Sequence, residues 1–250
     1  MLAGWLAAGR DPGEFTVVDP YLAEAPAGVT LLREVPARAF DFVLLGFKPQ
    51  QFAEAAAPVA PAVGAGTVVL SILAGVDLTT LRGRFPQALA VVRVMPNLAA
   101  AMGKSPIGLF GDGDPAARSA VDGLMAPLGT AEWLAGEELM DVVTALAGSG
   151  PAFVYRLIDA LAAGAEALGL PRDQADRLAL GMVEGAGALA AASPLAPGAL
   201  ADKVASPGGT TRAGLDVLDA DGRLAALIAE TLRAARDRGA EMAAQARAKG

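Results

Sequence analysis

The sequence contains neither cysteine nor histidine. No disulfide can form without cysteine, and this composition suits the reducing cytoplasm, where we expect the protein to be located. The absence of both residues also excludes a Ser-His or Cys-His catalytic pair and metal sites built from histidine and cysteine ligands, so we predict no metal. Any catalysis must therefore use hydroxyl groups, carboxylates, lysine, main-chain dipoles or a bound cofactor.

Positive charge is also scarce. The chain has only four lysines and a formal net charge of -7, and its basic residues form no run. We do not expect a nucleic-acid partner, because such partners select clustered lysine and arginine side chains.

Long uninterrupted hydrophobic stretches are missing as well. The uncharged stretch from Ala55 to Val76 is broken by Pro58, Pro61 and Gly64, so we interpret it as a helix end, a turn and a buried strand. The first residues, MLAGWLAAGR, lack the basic start and the long apolar core of a signal peptide. We therefore expect an intracellular protein without a membrane partner.

The first half of the chain contains short apolar runs that alternate with helical stretches. The apolar runs are FTVVD (15–19), GVTLL (28–32), DFVLLGF (41–47), TVVLSIL (67–73), ALAVVRVMP (88–96), PIGLF (106–110) and TAEWLA (130–135). This alternation predicts a parallel sheet covered by helices on both faces. After about residue 136 the strands stop and long helical patterns follow. We predict an α/β Rossmann-like dinucleotide-binding domain over residues 1–136 and an all-α domain over residues 137–250.

Ligands of such sheets bind at the carboxyl ends of the strands. The candidates that follow the predicted strands are Asp19, Phe47, Lys48, Pro49, Ala74, Met95, Pro96 and Asn97. Asp19 could hold the adenosine ribose hydroxyls, and Lys48 could face a phosphate or a ribose. Each also has a structural interpretation: Asp19 as an Asp-Pro turn, Lys48 as a solvated helix start and Asn97 as a cap. Their occurrence at successive strand ends favours a nucleotide crevice.

The segment SPGGTT, Ser206 to Thr211, lies between two helical stretches. Proline and paired glycines end a helix and let the main chain approach a ligand closely, and a hydroxyl residue can cap the next helix. A helix N-terminus with free N–H groups and hydroxyls binds anions. The segment also has the composition of a tight turn between helices, and both interpretations stay open at this point.

Three longer segments, VRVMPNLAAAMGKSPIGLF, ALAGSGPAFVYRLIDALAAGAEALGLPRDQA and LADKVASPGGTTRAGLDVL, occur in this order. With them the chain resembles the pyrroline-5-carboxylate reductases over essentially its whole length. The resemblance implies an N-terminal dinucleotide-binding domain and a helical C-terminal domain that interlocks with a second copy as a dimer, with dimers often assembling into rings. The implied activity is reduction of 1-pyrroline-5-carboxylate to L-proline with NADPH or NADH.

The same resemblance implies roles for individual residues. Those implied to bind the substrate are Val204, Ser206, Gly208, Gly209, Thr210 and Thr211. Among them, Val204 lines the ring pocket, and the hydroxyl of Thr211, the catalytic candidate, contacts the ring nitrogen. Those at cofactor-contact positions are Lys48, Pro49, Ala74 and Asn97. Hydride transfer to an iminium needs orientation and an anion hold more than acid–base power, so the lack of histidine does not oppose this activity.

The chain departs from the family pattern at its start. It begins inside what corresponds to the first helix, and no Gly-x-Gly-x-x-Gly segment precedes a helix later in the chain. The first strand and its glycine-rich turn are expected either upstream of Met1 or to be lost, and their loss would weaken cofactor binding. Cofactor choice is open too, because Asp19 would repel a 2′-phosphate and favour NADH, whereas Arg33 could attract that phosphate.

The sequence leaves two alternative functions to consider. A dehydrogenase of the 3-hydroxyacid type would need a catalytic lysine in a long helix of the second domain, and the only lysines there are Lys203 and Lys249. A catalytically impaired, truncated homologue that acts only as a helical dimerisation protein is the other alternative.

Overall fold

The computed structural model describes the main chain of residues 1–247, and the side chains of these residues except 243 and 245–247. Lys249 therefore lies outside the described residues. By their contacts the residues divide into two compact units. The first comprises Met1–Gly148 together with the C-terminal residues from Ala234, and the second comprises Ser149–Arg233. The boundary between residues 136 and 137 stays a prediction.

The first unit contains the strands, which form where the sequence has its short apolar runs. The strands are β1 (Thr16–Val18), β2 (Thr30–Leu32), β3 (Phe42–Leu45), β4 (Val68–Ser71), β5 (Ala90–Met95), β6 (Ser105–Gly111) and β7 (Gly129–Trp133). Within the described residues, β1 and β2 form a parallel pair, and the other strands form a separate sheet in the order β3-β4-β5-β6-β7. The predicted strand and glycine-rich turn before Met1 stay a prediction.

One strand pair differs from the predicted parallel arrangement. Neighbouring strands of the larger sheet are parallel except β5 and β6, which are antiparallel. The connection between them is a short 3-10 turn, Leu98–Met102, ended by Gly103 with a φ of 68°. A parallel crossover needs roughly a dozen residues or more, so this short connection returns the chain in the opposite direction.

The helices of the first unit are short. They are α1 (Leu2–Ala7), α2 (Phe52–Ala55), α3 (Leu78–Arg84), α4 (Pro115–Met125) and α5 (Leu139–Val143). Asp77 caps α3 by accepting from Thr80 N–H at 2.8 Å, and Asp114 caps α4 by accepting from Ala117 N–H at 2.8 Å. Such caps satisfy N–H groups that have no partner inside the helix.

The core of the first unit lies on both faces of the larger sheet. Side chains of β4 and β5 alternate between two apolar clusters, as successive residues of a strand must. The first cluster, with α1 and α4, includes Trp5, Leu70, Val92, Val121 and Met125. The second cluster, with α3, includes Leu45, Val69, Leu81, Phe85 and Val91. Continuous apolar strands therefore reflect burial on both faces, as predicted.

The second unit is helical. After a π-helical turn, Thr144–Gly148, the chain continues as α6 (Gly150–Ala167), α7 (Arg172–Ala192), α8 (Pro197–Val204), α9 (Thr210–Asp219) and α10 (Arg223–Arg247). The second unit ends within α10 at Arg233, and the residues of this helix from Ala234 are counted with the first unit. Helices α6 and α7 pack through small residues, namely Ala162, Ala175 and Ala179. Within residues 1–247 no single helix is long and apolar enough to cross a membrane, and the one pair that passes jointly, α7 with α8, is bent by 118°.

Candidate functional site

Most of the residues predicted to contact a cofactor meet at one edge of the larger sheet. Because β3, β4 and β5 are parallel and in register, their carboxyl ends lie side by side. Met95 is the last residue of β5, and the predicted residues that follow the three strand ends are Phe47, Lys48, Pro49, Ala74, Pro96 and Asn97. We call this set the nucleotide edge, since the crevice beyond such strand ends is where open α/β sheets bind ligands.

Asp19 and Arg33 lie together at the end of the separate β1–β2 sheet. The Oδ1 atom of Asp19 accepts from the N–H groups of Tyr21 at 2.7 Å and Leu22 at 2.9 Å. Arg33 donates through Nη1 to the carbonyls of Asp19 at 2.9 Å and Leu22 at 2.6 Å. The hydrogen bonds from Tyr21 and Leu22, and more weakly the charge of Arg33, lower the pKa of Asp19. The carboxylate therefore stays ionised at neutral pH. Asp19 thus both stabilises the turn and provides a negative charge in a fixed position.

The remaining residues of the nucleotide edge are held by their local structure. Pro49 begins a 3-10 turn, and the side chain of Gln51 reaches back to accept from Lys48 N–H at 3.3 Å. Phe47 packs against the second apolar cluster, whereas Lys48 and Ala74 are exposed. Gly75 has a φ of 78°, which lets the chain turn sharply just after Ala74. Exposed Lys48 and Ala74 are thus free to meet a ligand.

An ion pair between Arg93 and Glu137 was not anticipated from the sequence. Arg93 on β5 is only 6 % exposed, and its Nη1 lies 2.8 Å from Oε1 of Glu137. The same carboxylate oxygen accepts from the N–H of Leu78 at 2.7 Å, at the start of α3. The available signal was an arginine inside an otherwise apolar strand, since a buried charge requires a partner.

The SPGG loop, residues 205–209, connects α8 to α9. Gly208 has a φ of 71°, and the N–H of Gly209 donates to the carbonyl of Ser206 at 3.0 Å. Gly209 is the N-cap of α9 and has an extended main chain, and no side chain caps this helix within the described residues. The first intrahelical bond runs from Ala213 N–H to the Gly209 carbonyl at 3.1 Å. The N–H groups of residues 210–212 therefore remain for an external acceptor.

The side chains around the SPGG loop add hydroxyls and one ion pair. Ser206, Thr210, Thr211 and Val204 are exposed. Arg212 of α9 lies 2.9 Å from Asp202 of α8, and this hydrogen bond raises the pKa of Arg212. The pair bridges the two helices that flank the loop. The arrangement can hold a small carboxylate on main-chain N–H groups and hydroxyls.

Comparisons with known proteins show the family to which this chain belongs. Residues 137–242 match the family model described as "Pyrroline-5-carboxylate reductase dimerisation". The chain is 37% identical over 207 residues to the pyrroline-5-carboxylate reductase of Pseudomonas aeruginosa, covering 82% of this chain and 76% of that one. It is 34% identical over 244 residues to the enzyme of Methanosarcina acetivorans, covering 94% and 90%.

Solved structures of pyrroline-5-carboxylate reductases have the same fold as this chain. The pyrroline-5-carboxylate reductase of Coxiella burnetii superposes with a TM-score of 0.87 at 28% identity, covering 96% of this chain and 92% of that one. The enzyme of Plasmodium falciparum, solved with NADP bound, has the same fold, with a TM-score of 0.80 at 22% identity over 96% and 92%.

Fold, nucleotide edge and helical unit together define a Rossmann-fold oxidoreductase with a dimerisation domain. The chain belongs to the pyrroline-5-carboxylate reductase family. The predictions of fold class and family are therefore confirmed, whereas the individual site residues stay predictions.

Proposed function

We propose that this chain reduces 1-pyrroline-5-carboxylate to L-proline with NADPH or NADH. The observation that carries the proposal is the uncapped N-terminus of α9 beside two threonine hydroxyls, in a member of this family. A substrate with one carboxylate and one cyclic imine needs such an anion site and a hydroxyl at the imine nitrogen.

The residues of the nucleotide edge fit a dinucleotide in part. Lys48 is exposed for a phosphate or ribose, and the small side chain of Ala74 beside Gly75 leaves room for a flat ring. Asp19 offers a carboxylate of the kind that binds ribose hydroxyls. Among residues 1–247, no strand end at this edge carries a Gly-x-Gly-x-x-Gly turn for the pyrophosphate.

Substrate binding and protonation fall to the SPGG loop and α9. The N–H groups at the start of α9 and the hydroxyl of Ser206 hold the carboxylate. The hydroxyl oxygen of Thr211 accepts a hydrogen bond from the N–H of the protonated imine and so favours the iminium form, while Val204 covers the ring. When bound, the reduced nicotinamide supplies the hydride that converts the C=N bond to a C–N bond. Orientation is therefore the main contribution of the protein.

The chain self-associates through its helical dimerisation domain, and we propose that dimers assemble further into a ring. Exposed apolar side chains on the helices of the second unit support this assembly. The cytoplasmic location and the lack of a membrane partner stay predictions.

The test is oxidation of NADH and of NADPH, measured separately, with pyrroline-5-carboxylate as substrate. Thr211→Ala should lower kcat about a hundredfold, the usual effect of losing one hydrogen bond at a reacting centre. Its thermal stability should not change, because Thr211 is exposed. Thr130→Ala, at an exposed threonine of β7, is the control and should keep full activity.

Absence of oxidation with either nucleotide would contradict the proposed function and favour the alternative of a catalytically impaired dimerisation protein. A dehydrogenase of the 3-hydroxyacid type has no support from Lys203, which lies in the short helix α8.

A further inference from the structure

The carbonyl of Ala147 lacks the donor that a continuous helix would give it. Ala147 is buried in the π-helical turn Thr144–Gly148, which we call the exit turn because the first unit ends with it. The residue four positions later is Pro151, which has no N–H group. The next donor along the chain, Ala152 N–H, bonds to the carbonyl of Ser149 at 3.0 Å. A buried carbonyl of this kind requires a partner from elsewhere in the protein.

Asn97 provides that partner across 50 residues of sequence. Its Nδ2 donates to the carbonyl of Ala147 at 2.9 Å. Its Oδ1 accepts from Ala99 N–H at 2.9 Å, and its own N–H donates to Oγ of the buried Ser105 at 2.9 Å. Both ends of the side-chain amide are thus used inside the protein, so the orientation of Asn97 is fixed.

Close packing places the exit turn against the strands of the nucleotide edge. A Cβ atom added to Gly108 on β6 would lie 2.6 Å from Cγ1 of Val143, so only glycine lets α5 approach this strand so closely. A Cβ atom added to Gly148 would lie 3.8 Å from the sulfur of Met95. The hydrogen bond of Asn97 therefore belongs to a packed junction between the end of β5 and the exit turn.

We propose that Asn97 is a positioning residue for imine reduction, acting through the carbonyl of Ala147. It holds the exit turn in its π-helical form at the point where the chain passes from the unit with the nucleotide edge to the unit with the SPGG loop. Reduction requires both features in one reactive arrangement, so loosening this turn should impair use of the imine more than binding of the nucleotide. The activity part of this inference rests on the proposed function.

The experiment compares Asn97→Ser, Pro151→Ala and the double variant with the unchanged chain. Serine retains an oxygen that can cap Ala99 N–H but cannot reach Ala147. Alanine at position 151 supplies an N–H group at the α-helical spacing from Ala147. We expect Asn97→Ser to raise the KM for pyrroline-5-carboxylate about tenfold, as one lost hydrogen bond would, and to raise the nucleotide Kd by a smaller factor that Pro151→Ala also reverses. Pro151→Ala alone should keep KM near that of the unchanged chain, and the double variant should recover most of the loss.

Hydrogen exchange gives a readout that does not require activity. Asn97→Ser should speed exchange in peptides covering residues 144–152 about tenfold, without changing peptides of α4, and the double variant should reverse this. If the unchanged chain oxidises neither nucleotide, the proposed function fails and the exchange result alone decides the role of Asn97.

Two outcomes would overturn the inference. One is unchanged exchange over residues 144–152 in Asn97→Ser. The other is a loss of nucleotide affinity that Pro151→Ala does not restore, which would make Asn97 a direct cofactor contact instead.

Discussion

Gly208 and Gly209 each occupy a main-chain position that a side chain would disturb. Gly208 has a φ of 71°, where residues with a Cβ atom are strained. A Cβ atom on Gly209 would lie 3.1 Å from the carbonyl oxygen of Ser206. The proposed anion site therefore depends on main-chain N–H groups that stay accessible because these two residues have no side chain.

Gly209→Val should raise the KM for pyrroline-5-carboxylate more than about tenfold, because the branched side chain both crowds Ser206 and fills the space for the carboxylate. Steady-state kinetics at saturating nucleotide provide the measurement. Gly214→Ala on α9 is the matched control, since nothing lies within 4 Å of the added Cβ atom. An unchanged KM in Gly209→Val would remove the SPGG loop from the substrate site.

Asp19→Ser should shift the preference between nucleotides toward NADPH. The ionised carboxylate of Asp19 repels a 2′-phosphate, whereas serine removes the charge and leaves Arg33 nearby. The ratio of kcat/KM for NADPH to that for NADH should rise about tenfold, the factor for about 1.4 kcal/mol. If the ratio does not move, Asp19 acts only through its turn with Tyr21 and Leu22.

At the scale of elements, Glu137 joins strand β5 to the start of helix α3 from a position far along the chain from both. Its carboxylate pairs with buried Arg93 on β5 and accepts from the first N–H group of α3. Because α3 follows the turn at Ala74 and Gly75, this pair supports the local structure of the nucleotide edge. Removing Glu137 would leave Arg93 as an unpaired buried charge.

Glu137→Ala should lower the free energy of unfolding by about 3 kcal/mol, because Arg93 would keep its charge without a partner. Urea unfolding followed by circular dichroism measures the change. Glu138→Ala at the exposed neighbouring position is the control and should change stability by less than about 0.5 kcal/mol. Equal losses in the two variants would show that the ion pair contributes nothing specific.

At the scale of the whole molecule, the second unit exposes apolar side chains in a regular pattern. Leu178, Met182 and Leu189 of α7 are 63%, 51% and 72% exposed, and their spacing places them along one helix face. The contact between α7 and α6, in contrast, is made by small alanines. The unit matches a dimerisation model and has little core of its own, so we predict that this face is buried against a second copy.

The double variant Leu178→Glu with Leu189→Glu should dissociate the protein to single chains, because unpaired charges would be buried in the interface. Light scattering after gel filtration measures the mass. Leu168→Glu, at a leucine that is 91% exposed in the turn after α6, is the control and should leave the assembly intact. A double variant that keeps the mass of the unchanged protein would exclude this face of α7 from the interface.

The sequence by itself determined the local structure and the family. Apolar runs of strand length became strands, Pro115 and Pro171 stand at helix starts, and the Ser-Pro-Gly-Gly segment ends one helix and begins another. These features depend on residues that are neighbours along the chain, so their periodicity and turn chemistry are visible in the letters.

Only the tertiary structure decided which distant residues meet. Three features depend on segments that are distant in sequence. They are the antiparallel direction of β6, the ion pair of Arg93 with Glu137 and the hydrogen bond of Asn97 with Ala147. The sequence named none of these partners, and Asn97 had only a local interpretation as a cap. The partner is set by how strands and helices pack, because a buried charge or carbonyl takes the donor or acceptor that packing brings within reach.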